Sequence, residues 1–147
     1  MQKPFTYLAL LIIFSIQSCD SNDCETVVCA PNSIFQFQLI DKNSGENLLT
    51  NGAYQISNLN ILNTETENEV GFDFTPENAI VSVQTPNNTE TVNYTIQISS
   101  ENLFQVAIEK ERISGECCSG INFTSVEISN VDFQLNSQLG TYTILLE

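Results

Sequence analysis

From Ile34 onward, apolar and polar residues alternate in short runs along most of the chain. In Ile34-Phe35-Gln36-Phe37-Gln38-Leu39-Ile40, Phe35, Phe37 and Leu39 fall on one face and Gln36 and Gln38 on the other. A period of two in aromatic and β-branched residues predicts a strand with one buried face. The same pattern predicts strands over Tyr54–Ser57, Asn60–Leu62, Gly71–Phe74, Ile80–Gln84, Val92–Ser99, Leu103–Glu111, Ile121–Ser129 and Gly140–Leu146. No window of helical length carries a 3.6-residue apolar stripe. Turn residues separate the runs at Asn43-Ser44-Gly45, Asn51-Gly52, Thr75–Asn78, Thr85–Asn88, Ser99–Asn102 and Asn136–Gly140. Turns at intervals of about eight to twelve residues predict an all-β fold, a single antiparallel β-sandwich of about seven to nine strands. Segment Asn63–Glu69 is the most polar stretch and reads as an exposed loop.

The inward positions of these strands supply the expected core. They are Phe35, Phe37, Leu39, Tyr54, Ile56, Ile61, Phe72, Phe74, Ile80, Val83, Tyr94, Ile96, Ile98, Phe104, Val106, Ile108, Phe123, Val126, Ile128, Phe133, Tyr142, Ile144 and Leu146. A domain of this length buries enough apolar surface to stand alone.

The first residues follow a different pattern. Lys3 precedes an apolar run, Tyr7–Ile16, that ends in Ile16-Gln17-Ser18-Cys19. The run is far short of the roughly 20 residues that span a bilayer. A positive start, a short apolar core and a small residue before a cysteine predict a lipoprotein signal peptide over residues 1–18. Gln17 departs from the commonest cleavage pattern, which prefers a small or aliphatic residue there. The expected mature chain starts at Cys19, carries acyl chains on its thiol and amine, and is held at the outer membrane by them. Residues 19–32 then form a polar tether and residues 33–147 the β-domain. Within the tether, Asp20-Ser21-Asn22-Asp23 and Glu25 resemble the acidic export signal of surface lipoproteins in Bacteroidota. That resemblance implies display on the cell surface; a plain soluble spacer facing the periplasm is the alternative.

Charge narrows the function classes. The chain holds 18 acidic residues against four Lys and Arg, a formal net charge of −14. After the signal only Lys42, Lys110 and Arg112 are cationic. Such a body cannot supply the phosphate contacts that dominate nucleic-acid affinity, so no nucleic-acid partner is expected. Histidine and tryptophan are absent. The first absence removes the usual general base and metal ligand, and the base of Ser-His and Cys-His pairs. No cofactor is expected.

With Cys19 lipidated, Cys24, Cys29, Cys117 and Cys118 remain, and an even count outside the cytoplasm predicts disulfides. Of the three pairings, a bond between neighbours Cys117 and Cys118 is disfavoured by geometry. Bridges from Cys24 and Cys29 to Cys117 and Cys118 are therefore expected. A four-thiolate zinc site fits poorly, because Cys-x4-Cys with Cys-Cys lacks regular ligand spacing. Asp41 and Asn43, in Asp41-Lys42-Asn43-Ser44-Gly45-Glu46, begin like a calcium loop, but Gly52 stands where the bidentate Glu belongs. The same residues make a good turn, and that reading is preferred.

The strand and turn over Ile34–Ile61, with Asp-Lys-Asn-Ser-Gly-Glu-Asn-Leu-Leu and Asn-Gly-x-Tyr, resemble small uncharacterised lipoproteins of flavobacteria. The signal, the acidic tether and the Cys-Cys segment are similar to theirs as well. What the resemblance implies is an immunoglobulin-like or transthyretin-like sandwich attached to the envelope; it implies no activity. The expected function is a non-enzymatic binding or structural module contacting an envelope protein or glycan. The rival expectation is a carboxylate-dependent hydrolase acting on glycans. Glu65, Glu67 and Glu69 would share a face if extended, yet no spacing singles out an acid and a nucleophile.

Overall fold

A computed structural model describes residues 33–114 and 119–147, with Ser119 through its backbone only. The described chain is all-β and contains two sheets. Its strands are β1 (Ile34–Asp41), β2 (Leu59–Asn63), β3 (Asp73–Thr75), β4 (Ile80–Gln84), β5 (Thr91–Ile98), β6 (Glu101–Ser114), β7 (Ser119–Ser129), β8 (Asp132–Asn136) and β9 (Thr141–Leu146). One sheet has the order β3-β4-β1-β9-β8 and the other β2-β5-β6-β7. All neighbours are antiparallel except β1 and β9, which pair in parallel from Gln36–Thr141 to Asp41–Leu146.

Alternation along each strand sends one set of side chains between the sheets. Phe35, Phe37 and Leu39 of β1, Val81 and Val83 of β4, and Ile144 of β9 line one wall. Ile61 of β2, Tyr94 and Ile96 of β5, and Phe104, Val106 and Ile108 of β6 line the other. Phe37 and Phe104 meet across the interface edge to face, their ring centroids 5.5 Å apart. Each fully buried Phe, Leu, Ile or Val here contributes roughly 1.5–3 kcal/mol by leaving water. This two-sheet core is what makes the fold a sandwich.

Three sequence expectations need correction. Tyr54–Ser57 is not a strand: the chain there bends and forms a single 3-10 turn, Ile56–Asn58. Local side chains favour the bend, because Asn47 Oδ1 accepts from Leu49 N at 2.9 Å and Asn51 Oδ1 from Ala53 N at 2.9 Å. Asparagine bonds of this kind compete with a strand ladder. β8 is a strand beyond the expected set. Phe133 on it is not core; it keeps 40% of its surface exposed, because β8 lies at a sheet edge.

β6 and β7 run on past the sandwich. Beyond Lys110, the β6 residues Glu111, Arg112, Ile113 and Ser114 are all exposed, so this two-stranded ribbon leaves the core behind.

Candidate functional site

β7 and β8 follow each other in sequence but belong to different sheets. Only Asn130 and Val131 join them, and Asn130 takes a left-handed φ of 70°, a conformation asparagine accepts more readily than most residues. The link holds the two edge strands together at one end. At the other end a cavity of about 430 Å³ opens between Asn122 and Phe123 of β7 and the β8–β9 turn. The sandwich is thus unsealed along one seam.

The walls of this cavity are more apolar than polar and carry no charge. Phe35, Phe123 and Tyr142 line it together with Ile34, Leu135 and Leu139, while Gln36, Asn122 and Ser137 add the polar side chains. No acidic or basic residue lines it, although the chain has 18 Asp and Glu. Ile34, Leu135 and Leu139 are 43%, 52% and 67% exposed, and Phe133 lies two residues from Leu135 on the same strand face. Contiguous exposed apolar surface of this kind marks contact sites.

Aromatic rings connect the seam to the core. Phe133 stacks at 6.1 Å from Tyr142, Tyr142 at 5.3 Å from Phe35, Phe35 at 5.6 Å from Phe37, and Phe37 at 5.5 Å from Phe104. The exposed end of the series therefore rests on buried rings of the core. Burial raises the Tyr142 phenol above its usual value and keeps it neutral.

Both ends of the β8–β9 hairpin are fastened. In the connecting turn, Asn136 Oδ1 accepts from Gln138 N at 3.1 Å and Leu139 N at 3.2 Å. Gly140, at φ +66°, donates to the Asn136 carbonyl at 2.8 Å. That closure lifts Leu139 into solvent. At the opposite end Lys42 Nζ reaches Asp132 Oδ2 at 2.9 Å and Glu147 Oε1 at 3.2 Å. Hydrogen bonds to these two carboxylates hold the Lys42 amine above its usual value, and the bond from Lys42 holds the Asp132 carboxyl below its own.

A second cavity of about 430 Å³ sits at the base of the β6–β7 ribbon, where Asn87, Thr89 and Ile121 meet Lys110 and Arg112. Lys110 continues the inward alternation of β6 and is 6% exposed, with its amine donating to the Pro86 carbonyl. Desolvation depresses that amine. Glu90 and Glu111 share the same wall, so the two cations do not make an anion site.

The residues singled out from the sequence are scattered. Cys19, Cys24, Cys29, Cys117 and Cys118 lie outside the described residues. Asp41 Oδ1 accepts from Asn43 N at 2.9 Å and Ser44 N at 2.7 Å, the geometry of a turn, and these bonds hold its carboxyl below the usual range. Asn43 is exposed. Among the described residues no three His, Cys, Asp or Glu converge as a metal site. Glu65, Glu67 and Glu69 are exposed on the loop after β2, at the sheet edge opposite β7. They do not share a cavity with the aromatic seam.

Of the seam residues, Phe35, Phe123 and Tyr142 were legible as apolar strand positions. Leu135 and Leu139 were not singled out, though Asp132-Phe133-Gln134-Leu135-Asn136 alternates polar and apolar and signals a strand. Comparison with known proteins finds no matching family model, curated protein or solved structure. What the chain offers by itself is an acidic two-sheet sandwich with one neutral, apolar, structurally anchored seam.

Proposed function

We propose that this chain is an outer-membrane lipoprotein, anchored through Cys19, whose β-domain is a non-enzymatic module that contacts an envelope protein along the β7–β8 seam. One observation carries the reading. Of the five large apolar side chains exposed among the described residues, Ile34, Leu135 and Leu139 line a cavity with no charged residue in a strongly acidic chain, and Phe133 lies beside Leu135 on the same strand face. Scattered exposed apolar residues are ordinary on any surface, but a clustered and uncharged set backed by buried aromatic rings is suited to a partner. The immunoglobulin-like type belongs to the same proposal. Sheets of five and four strands equal in number those of a variable-type immunoglobulin sandwich.

The anchor and the contact are tested separately. Globomycin should make uncut precursor accumulate, and Cys19→Ala should release the chain from membranes or stall its processing. Normal processing and attachment of Cys19→Ala would end the lipoprotein reading. For the contact, formaldehyde cross-linking of intact cells should give adducts that the double variant Leu135→Glu, Leu139→Glu loses. Both side chains are more than half exposed, so the fold should persist, which circular dichroism checks. Unchanged adducts from a folded variant would refute the seam as the contact.

A further inference from the structure

β8 ends its sheet, so among the described residues one side of its backbone has no ladder partner. Natural edges are usually blunted by charge, proline, bulges or a covering segment. The other edges follow this rule. β3 is three residues long and starts with Asp73, β2 is bridged by the returning loop at Leu62–Glu69, and β7 is broken by a register shift against β6 at Glu109/Lys110. β8 has no proline, no register shift against β9, and one charged residue, Asp132, which is already paired with Lys42. All five of its residues are exposed.

We propose that β8 is the dimerisation edge of this protein, pairing antiparallel with β8 of a second copy about a two-fold axis through Gln134. This rests on the seam reading and names its partner. The sequence of β8 is self-complementary in that register. Gln134 meets Gln134 of the second copy, Phe133 meets Leu135, and Asp132 meets Asn136. Each apolar side chain thereby faces an apolar one on the inner face, and neither Asp132 opposes its counterpart. Directly opposed aromatic and aliphatic pairs stabilise antiparallel ladders, whereas like charges destabilise them. A two-fold contact requires such self-complementarity. Two five-stranded sheets would join into one continuous sheet, with the apolar rims of both seams brought side by side.

Charge selects this edge over the rest of the surface. Two copies of a chain with net charge −14 repel at long range, so they associate only where the contact itself is neutral. The seam lining is neutral, and the one β8 carboxylate is matched to Lys42. Screening weakens the long-range repulsion and leaves apolar contact in place, so added salt should strengthen the dimer. An association held together by interfacial ion pairs would respond in the opposite sense.

Sedimentation of the mature chain tests the proposal. A concentration-dependent monomer–dimer equilibrium is expected, tightening between low and physiological ionic strength. Leu135→Glu should weaken it at least tenfold without loss of fold. A cysteine at the axis, Gln134→Cys, should give a covalent dimer under mild oxidant, beyond any formed by the native cysteines. Gln138→Cys, on the turn and off the strand, should not. A chain that sediments as a monomer up to about 1 mM, the weak limit of measurable association, would overturn the proposal. So would a dimer that Leu135→Glu leaves intact or that Gln134→Cys fails to trap. A monomer in solution whose cellular adducts still depend on Leu135 and Leu139 would remove the dimer while leaving the seam contact standing.

Discussion

Ser99 and Ser100 close the β5–β6 hairpin as a two-residue loop, with φ of 50° and 77°. Two successive positive φ angles define the turn whose twist matches the flanking strands, and glycine or asparagine normally occupies it. Serine pays a steric penalty there that glycine escapes, about 1 kcal/mol. Ser100→Gly should therefore raise stability by about that amount, read as a higher urea midpoint at unchanged slope. No change or a loss would mean that the loop relaxes into another turn. Ser-Ser marked a turn in the sequence but not its type, because the type follows from the registry of Ile98 with Glu101. Burial was similarly legible at single positions within strands. Phe37, Leu39, Phe104 and Ile108 are fully buried where alternation placed them. Leu48 was missed because it sits in a turn, where no period reveals a face, yet it is 7% exposed.

At the level of elements, strong two-residue alternation made β1, β5 and β6 readable, and their ends were set by the hairpins. β8 is short, follows β7 after two residues and crosses to the other sheet, so only the Asn136–Gly140 turn framed it, and nothing marked its start. The seam depends on that crossing and was not legible for the same reason. Lys42 fastens the resulting hairpin through Asp132 and Glu147. The pH consequence follows from the direction of the shifts. Asp41 and Asp132 have folded values below the ordinary 3.8, so their stabilisation is present above pH 3.8 and lost as pH falls through the lower folded values. Lys42 is raised above 10.5, so its contribution is present below pH 10.5 and lost in strong alkali. Lys42→Met should shrink the fall in thermal midpoint between pH 5 and about pH 2, since Asp132 loses the bond that depresses it. An identical acid limb would show that the ion pair does not persist in solution.

Across the whole molecule, Ser33, just before β1, and the base of the β6–β7 ribbon share one end. Thr85 N donates to the Ser33 carbonyl at 2.7 Å, and Asn87, two residues on, shares a small cavity with Gly120 and Ile121. Cys29 lies four residues before Ser33 and Cys118 two before Gly120. Chain reach of about 3.3–3.6 Å per residue supports a bridge between these segments. Each long-range bridge would close a loop of about ninety residues, worth on the order of 4 kcal/mol in the chain-entropy model. Non-reducing peptide mapping should recover Cys24 or Cys29 joined to Cys117 or Cys118. Only free thiols, or zinc in stoichiometric amount on which folding depends, would refute the framework. Such a bridge would also tie the segment before Ser33 to the domain, and with it Asp20, Asp23 and Glu25, which follow the proposed lipidation site Cys19.

The claim that the seam is the working surface is tested most directly by site-specific photo-cross-linking in living cells. A photoreactive residue at Leu139, on the exposed rim, is compared with one at Glu67, on the exposed loop at the opposite edge. A discrete adduct of defined mass is expected from position 139 and none from position 67. Adducts from position 67 alone, or none from 139 in a chain that is folded and membrane-attached, would contradict it.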